Sequence, residues 1–211
     1  MATKIFKDNE VILDDEKYFT FSNSNTPGNR GYYTDNKATA PTDIRFNMVE
    51  KYPPKVLVYM VISSRGISEI HAQECGNAID ADTYINKCLN KILKPFISKH
   101  HEDNKYVFWP DLASSHYANK TKEWLRDHNI KFVDKESNPP NVPKARPIED
   151  LWAIISGKVY EGGWCANSTN QLIRRIRACI KKIDLNLLQT LMEPIRKKLR
   201  KIADKGPYSV Y

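Results

Sequence analysis

Three acidic residues of the sequence stand at the ends of predicted strands or helices. Asp15 ends an apolar, strand-like segment, and Asp111 comes just after the apolar run Tyr106–Trp109. Glu149 falls in the first turn of a predicted helix whose first residue is Pro147, a position where the missing N–H costs nothing. Carboxylates held at the ends of rigid elements can converge from distant parts of a chain. Two divalent cations bound to such oxygens stabilise the attacking and leaving oxygens of phosphoryl transfer.

Each acid also has a structural interpretation. Asp15 belongs to a charged run, Asp111 is placed to cap the turn after its strand, and Glu149 favours the helix dipole at an N-terminus. The pattern by itself therefore leaves the catalytic and the structural interpretations open.

The elements that must position these acids alternate between strand and helix, which predicts a mixed α/β sheet domain. The acidic run 14–16 is expected to interrupt the first strand, and Pro95 is expected to bend or end the first helix. The predicted order begins with a strand over residues 11–19, a hairpin over 55–70 and a helix from Asp82, which Asp80 or Asp82 caps. A strand over 106–109, a helix over 118–127, a strand over 130–133 and a helix from Pro147 follow. Two amphipathic helices follow, one with apolar residues from Leu172 to Ile183 and the other from Leu191 to Ile202.

Positive charge is concentrated in the last fifth of the chain. Between Ser168 and Lys205 eleven basic residues oppose three acidic ones, so the net charge of +8 lies in this segment. Such a tail on a neutral body predicts a polyanionic partner, most commonly nucleic acid, although a solvated helical face explains the charge equally well. The candidate DNA-binding residues are Arg174, Arg175, Arg177, Lys181, Arg196, Lys197 and Lys198. The run 196–201 also fits a nuclear address.

Several classes of protein are disfavoured by the sequence. The four cysteines, Cys75, Cys88, Cys165 and Cys179, form no CxxC pair, which argues against a zinc knuckle, and they are expected to be reduced thiols. The apolar run 56–62 is far shorter than the roughly 20 residues that a bilayer requires, so no membrane partner is expected. The first residues lack the apolar stretch of a secretory signal.

Three segments resemble motifs of the mariner-type transposases, members of the Asp-Asp-Glu superfamily. Residues 13–19, Leu-Asp-Asp-Glu-Lys-Tyr-Phe, resemble the Asp-Glu-Lys segment that opens the catalytic domain of this family. Residues 147–152, Pro-Ile-Glu-Asp-Leu-Trp, are similar to its Pro-Ile-Glu-Asn-Leu-Trp segment. Asp111, followed by Ala113 and His116, resembles the segment of the second acid, and the 37 residues between Asp111 and Glu149 fit the family spacing.

The resemblance implies a ribonuclease-H-like fold, here a mixed sheet flanked by helices with a basic helical C-terminal tail. Asp15, Asp111 and Glu149 would bind two Mg²⁺ ions, with Mn²⁺ as a substitute, and His116 would lie near them. Water would attack a phosphodiester first, and the freed 3′-hydroxyl would then attack target DNA. The partners implied are double-stranded DNA and a second copy of the chain on that DNA, in the nucleus. Residues 1–165 would form the catalytic domain and 166–211 the tail.

The sequence departs from the family in three places. Leu112 stands where many relatives have Asn, a change that weakens polar support beside the second acid. The loop 138–146 is longer than the common form. Family members carry helix-turn-helix domains ahead of the catalytic domain, and about ten residues precede the first strand here, so these domains are expected to be absent. Two alternatives stay open: a non-enzymatic, host-adopted or truncated DNA-binding protein, and a different nuclease of the same fold.

Overall fold

An eleven-residue strand, β1 (Glu10–Thr20), carries the first acid through the interior of a mixed sheet. The computed structural model describes residues 9–22, 34–36, 38–40, 53–74, 79–140 and 142–210. On one side β1 pairs antiparallel with β2 (Lys55–Ser63), and on the other it pairs parallel with β5 (Tyr106–Trp109). The short strands β3 (Gly66–Ile67) and β4 (His71–Glu74) both pair with the far edge of β2.

The acidic run does not interrupt β1, contrary to the expectation from sequence. Asp14, Asp15 and Glu16 keep regular pairing opposite Val61, Met60 and Tyr59. The strand tolerates the run because Asp14 receives hydroxyl hydrogen bonds and Asp15 receives an indole hydrogen bond, so neither carboxylate is buried without a donor.

The first helix, α1 (residues 81–100), has three consecutive stretches, Ala81–Thr83, Tyr84–Leu93 and Lys94–His100, and the middle one is wound as a π-helix. The Asp80 side chain caps it by accepting from the Thr83 amide. Pro95 was predicted to bend or end this helix, and it does not end it. Pro95 follows a wide turn in which the Lys94 amide bonds to the Leu89 carbonyl, and we attribute its accommodation to this wider winding.

Five further α-helices follow in the described part of the chain, and their bounds are α2 (Asn119–Asp127), α3 (Pro147–Val159), α4 (Thr169–Lys181), α5 (Leu185–Met192) and α6 (Ile195–Lys205). The sequence predicted one helix over 191–202, but the structure divides this range between the end of α5 and α6. Pro194 separates them because its ring and missing N–H disrupt a helix interior but suit a helix start. The strand expected over 130–133 is reduced to a single parallel bridge between Phe108 and Phe132.

The two faces of the sheet are covered by different helices. Alternate residues of β1 and β2, such as Ile12 and Tyr59, face α1 and α2, whereas Leu13 and Met60 face α3 and the C-terminal helices. The apolar faces of α4, α5 and α6 share one core with α3, so the basic tail packs on the sheet domain. The division of the chain at residues 165 and 166 stays a prediction. Within the described residues, no helix has the length and apolar character needed to span a membrane.

Candidate active site

Asp15 lies on the α3 face of the sheet, where the alternation of β1 directs its side chain. Its Oδ2 atom accepts a hydrogen bond of 2.9 Å from the indole Nε1 of Trp152, which is buried in the middle of α3. Burial, and then the negative charge of Glu149, raise the pKa of Asp15 from 3.8 to about 7. Negative charge is therefore crowded at this position.

Asp111 lies beside Asp15 at the same edge of the sheet. The parallel register of β1 and β5 pairs Leu13 with Trp109. Two residues further along each chain segment come Asp15 and Asp111. The Oδ1 atom of Asp111 accepts from the Ala113 amide at 2.8 Å and lies 2.5 Å from Nδ1 of His116. Burial opposes ionisation of Asp111, but these contacts outweigh it and lower its pKa.

His116 is buried behind Asp111, and its ring touches two acids and an aromatic side chain. It stacks on Tyr84 with ring centroids 3.9 Å apart, and its Nε2 atom lies 3.5 Å from Oε1 of Glu16. Burial disfavours the imidazolium, but the surrounding carboxylates of Asp14, Asp111 and Glu16 raise the pKa of His116 to about 10. His116 is thus a cation that holds Asp111 in place.

Glu149 is exposed in the first turn of α3, as predicted. Its effect on the pKa of Asp15 puts the two carboxylates in one electrostatic neighbourhood, to which Asp111 also contributes. The structure thus brings the three predicted acids to one edge of the sheet.

The donor chemistry of this edge fits a hard divalent cation, because the three acids supply only carboxylate oxygens and their crowded charge favours a counter-ion. Over the ranges that the structure describes, however, no three His, Cys, Asp or Glu side chains are close enough together to hold a metal ion. The three acids therefore lie near one another but do not form a complete metal-binding cluster in the described residues.

Two buried polar side chains next to the acids were not recognised from the sequence. The guanidinium of Arg146 donates to the Asp14 carbonyl at 2.7 Å and to the Trp109 and Pro110 carbonyls at 3.3 and 3.2 Å. Asn138 accepts from the Trp109 indole at 2.7 Å and donates to the Pro110 carbonyl at 2.9 Å. Both lie in a proline-rich loop, and the composition of this loop does not predict which of its polar side chains are buried.

The candidate DNA-binding residues fall into two groups. The side chains of Arg175, Arg196 and Lys198 donate to backbone carbonyls of Val159, Asn9 and Lys144 respectively, so they hold the fold together. The other four lie on α4 and α6 and, like Arg196, are exposed: Arg174, Arg177, Lys181 and Lys197. Among them, Arg174 donates only within its own helix, to the Asn170 carbonyl at 3.3 Å.

Known proteins resemble this chain both in sequence and in structure. No family model matches the sequence. The Tc3 transposase of Caenorhabditis elegans is 25% identical over 194 residues, which are 92% of this chain and 55% of that protein. The Tcb1 transposase of Caenorhabditis briggsae is 24% identical over 103 residues, 49% of this chain and 36% of that protein. The matched part of the chain thus spans about half of the Tc3 transposase and about a third of the Tcb1 transposase.

Solved structures of the Mos1 transposase have the same fold. A paired-end complex of Mos1 with the left transposon end matches with a TM-score of 0.78 at 16% identity, over 98% of this chain and 59% of that chain. The catalytic domain of the Mos1 mariner transposase matches with a TM-score of 0.66 at 15% identity, over 94% and 83%. The sequence similarity along nearly the whole chain and the shared ribonuclease-H-like fold make this protein a homologue of the Tc1/mariner transposases.

Proposed function

We propose that the chain is the catalytic core of a transposase that cuts double-stranded DNA and joins it to target DNA with the help of divalent metal ions. The observation that carries this proposal is that Asp15, Asp111 and Glu149 lie near one another at one edge of a transposase-like sheet. Burial, and then the charge of the neighbouring Glu149, raise the pKa of Asp15 to about 7 there. Mos1 structures described with Mg and with Mn lend support to a divalent cation.

The three acids would hold two Mg²⁺ ions, or Mn²⁺ in their place, which when bound supply Lewis acidity to the phosphodiester oxygens. The chain's own contribution is positioning. Trp152 orients Asp15, while His116 and the Ala113 amide orient Asp111 through one oxygen. Glu149, exposed at the start of α3, completes the set on the solvent side. In the first step a water oxygen would attack phosphorus, the bond from phosphorus to the 3′ oxygen would break, and that oxygen would take up the proton released by the water. In the second step the freed 3′-hydroxyl oxygen would attack phosphorus in target DNA, and the 3′ oxygen of the target strand would leave and take up the hydroxyl proton.

The exposed cations of α4 and α6 would contact the DNA backbone. Arg174, Arg177 and Lys181 lie within eight residues of one another on α4, and Lys197 lies on α6. Charges of this kind give sequence-independent binding that weakens with salt. A dimer on DNA and a nuclear location belong to the same proposal.

The proposal is tested by nicking of labelled duplex DNA in Mg²⁺ or Mn²⁺ with the native chain, Asp111→Asn, Glu149→Gln and Asp150→Asn. Asp150 is the matched control, because it is an exposed carboxylate in the same turn as Glu149. We expect metal-dependent nicking that Asp111→Asn and Glu149→Gln abolish and Asp150→Asn retains.

The alternatives give different results in the same assay. A native chain that neither nicks DNA nor binds Mn²⁺ by calorimetry, while still binding duplex DNA, is a non-enzymatic DNA-binding protein. Preferential cutting of RNA–DNA hybrids or junctions over duplex DNA identifies a different nuclease of this fold. Equal activity in the native chain and Asp111→Asn contradicts the site assignment.

The basic face of α4 is tested separately by salt titration of DNA binding. Changing Arg174, Arg177 and Lys181 together to Gln removes three exposed cations, so the slope of log affinity against log salt is expected to decrease by about 3. The matched control changes Lys91, Lys94 and Lys99, exposed on α1 at the opposite face of the sheet, and should leave the slope unchanged. Equal slopes for both triple variants would show that α4 does not contact DNA.

A further inference from the structure

We propose that Arg146 is a positioning residue that holds the three acid-bearing elements together and so supports the binding of a divalent cation by their acids, an inference that rests on the proposed function. Arg146 immediately precedes α3 and is buried, with 8% of its surface exposed. Its backbone carbonyl accepts from the Glu149 amide at 3.1 Å, so the arginine and the third acid belong to one turn.

The guanidinium of Arg146 bridges the two strand ends that carry the other acids. One nitrogen donates to the carbonyl of Asp14, the residue before Asp15, at 2.7 Å. The other donates to the carbonyls of Trp109 and Pro110, the two residues before Asp111. The guanidinium also lies over the Trp109 ring, 5.2 Å from its centroid. A single planar group thus spans β1, the end of β5 and the start of α3.

These contacts engage both terminal nitrogens of the Arg146 guanidinium without neutralising its charge. Its hydrogen bonds go to backbone carbonyls, and the ion pairs found among the described residues do not include it. An unpaired buried cation is costly unless nearby anions stabilise it. The carboxyl groups of Asp14, Asp15 and Asp111 lie near enough for the charge of Arg146 to lower the pKa of each of them, against the effect of burial.

The opposite end of α3 offers a matched comparison. The Arg175 guanidinium donates to the carbonyls of Val159 and Lys158 at 3.0 and 3.3 Å and lies 4.9 Å from the centroid of the Trp164 ring. Arg175 therefore makes the same kinds of contact as Arg146, but at the far end of the helix from Glu149. Its removal should cost stability without disturbing the acids.

The test measures Mn²⁺ binding by calorimetry and thermal unfolding for the native chain, Arg146→Lys, Arg146→Met and Arg175→Met. Lysine keeps the charge but cannot bridge two strand ends as the planar fork does. We expect Arg146→Lys and Arg146→Met both to weaken Mn²⁺ binding by about 10-fold or more, as changes behind a metal site do. Arg175→Met should lose a similar amount of thermal stability and keep the native Mn²⁺ affinity.

Each other outcome overturns the inference in a recognisable way. Tighter Mn²⁺ binding in Arg146→Met with native binding in Arg146→Lys shows that Arg146 acts through charge alone. Equal weakening in Arg146→Lys and Arg175→Met shows a general effect of stability. If the native chain binds Mn²⁺ and nicks DNA and Arg146→Lys does so equally well, only the role of Arg146 is wrong. A native chain without Mn²⁺ binding overturns the proposed function and this inference together.

Discussion

Two adjacent carboxylates of β1 point to opposite faces of the sheet and have different surroundings. On the α1 face, Asp14 is completely buried and accepts hydroxyl hydrogen bonds from Tyr59 at 3.2 Å and Tyr84 at 2.5 Å. On the α3 face, Asp15 is only partly buried, accepts from the Trp152 indole, and lies near the exposed Glu149. The same residue type is therefore enclosed by protein on the α1 face and partly open to solvent on the α3 face.

The difference separates a structural carboxylate from one that can bind a ligand. Burial raises the pKa of both residues, but at Asp14 the next cause is the positive charge of His116, which lowers the pKa and belongs to the protein itself. At Asp15 the next cause is another carboxylate, Glu149, which adds negative charge at the rim. Excess negative charge beside solvent favours an incoming cation.

The largest effect should come from neutralising one member of this pair. Asp15→Asn is expected to lower metal-dependent nicking by about 1,000-fold, since it removes a charge from the reacting centre. Asp14→Asn should lower nicking less than about 10-fold and reduce stability instead, because it weakens a buried network. Nicking rates and urea unfolding of the two variants decide the point. A greater nicking defect in Asp14→Asn would exchange the roles of the two faces.

A smaller effect should appear in the pH dependence of stability without metal. The pKa of Asp15 is about 7 in the folded chain against 3.8 ordinarily, so the folded state binds more protons between these values. The contribution of Asp15 to stability is therefore fully present below about pH 4 and is lost as pH rises through about 7. The full difference corresponds to at most about 4 kcal/mol, and solvent screening reduces the expected loss to about 2 kcal/mol.

Urea unfolding in chelator at several pH values tests this prediction. The native chain should lose free energy of unfolding between about pH 4 and 7 relative to Asp15→Asn. Asp150→Asn, which keeps Asp15, should follow the native profile. Parallel profiles for the native chain and Asp15→Asn would mean that the pKa of Asp15 is not raised in the folded chain.

The smallest effects come from removing one donor on each face. Trp152→Phe deletes the hydrogen bond to Asp15 and should weaken Mn²⁺ binding by about 10-fold, within the range typical of groups that orient metal ligands. Tyr59→Phe deletes one donor to Asp14 and should cost about 1 kcal/mol of stability with native Mn²⁺ affinity. Calorimetry and thermal unfolding distinguish the two. A reversed pattern would place the metal site on the α1 face.

Patterns along the chain predicted where the helices α1, α2 and α3 lie and singled out the three acids. Hydrophobic periodicity and proline positions indicate where α1, α2 and α3 begin, because each signal acts locally. Asp15, Asp111 and Glu149 were predicted from their motifs, and the structure places all three at one edge. The split at Pro194 was also a local signal, and giving it more weight would have separated α5 from α6.

Only the tertiary structure decided which polar residues near the acids belong to the candidate site and which hold the surrounding elements in place. The sequence determined a mixed α/β fold with acids at element ends and a basic tail, since residue type and period act over a few positions. It did not show that Arg146 bridges β1 and β5, that Asn138 turns inward, or that Arg175 closes the end of α3. Those roles depend on contacts between residues up to 132 positions apart, such as Arg146 with Asp14, which exist only after the sheet has brought the strand ends together.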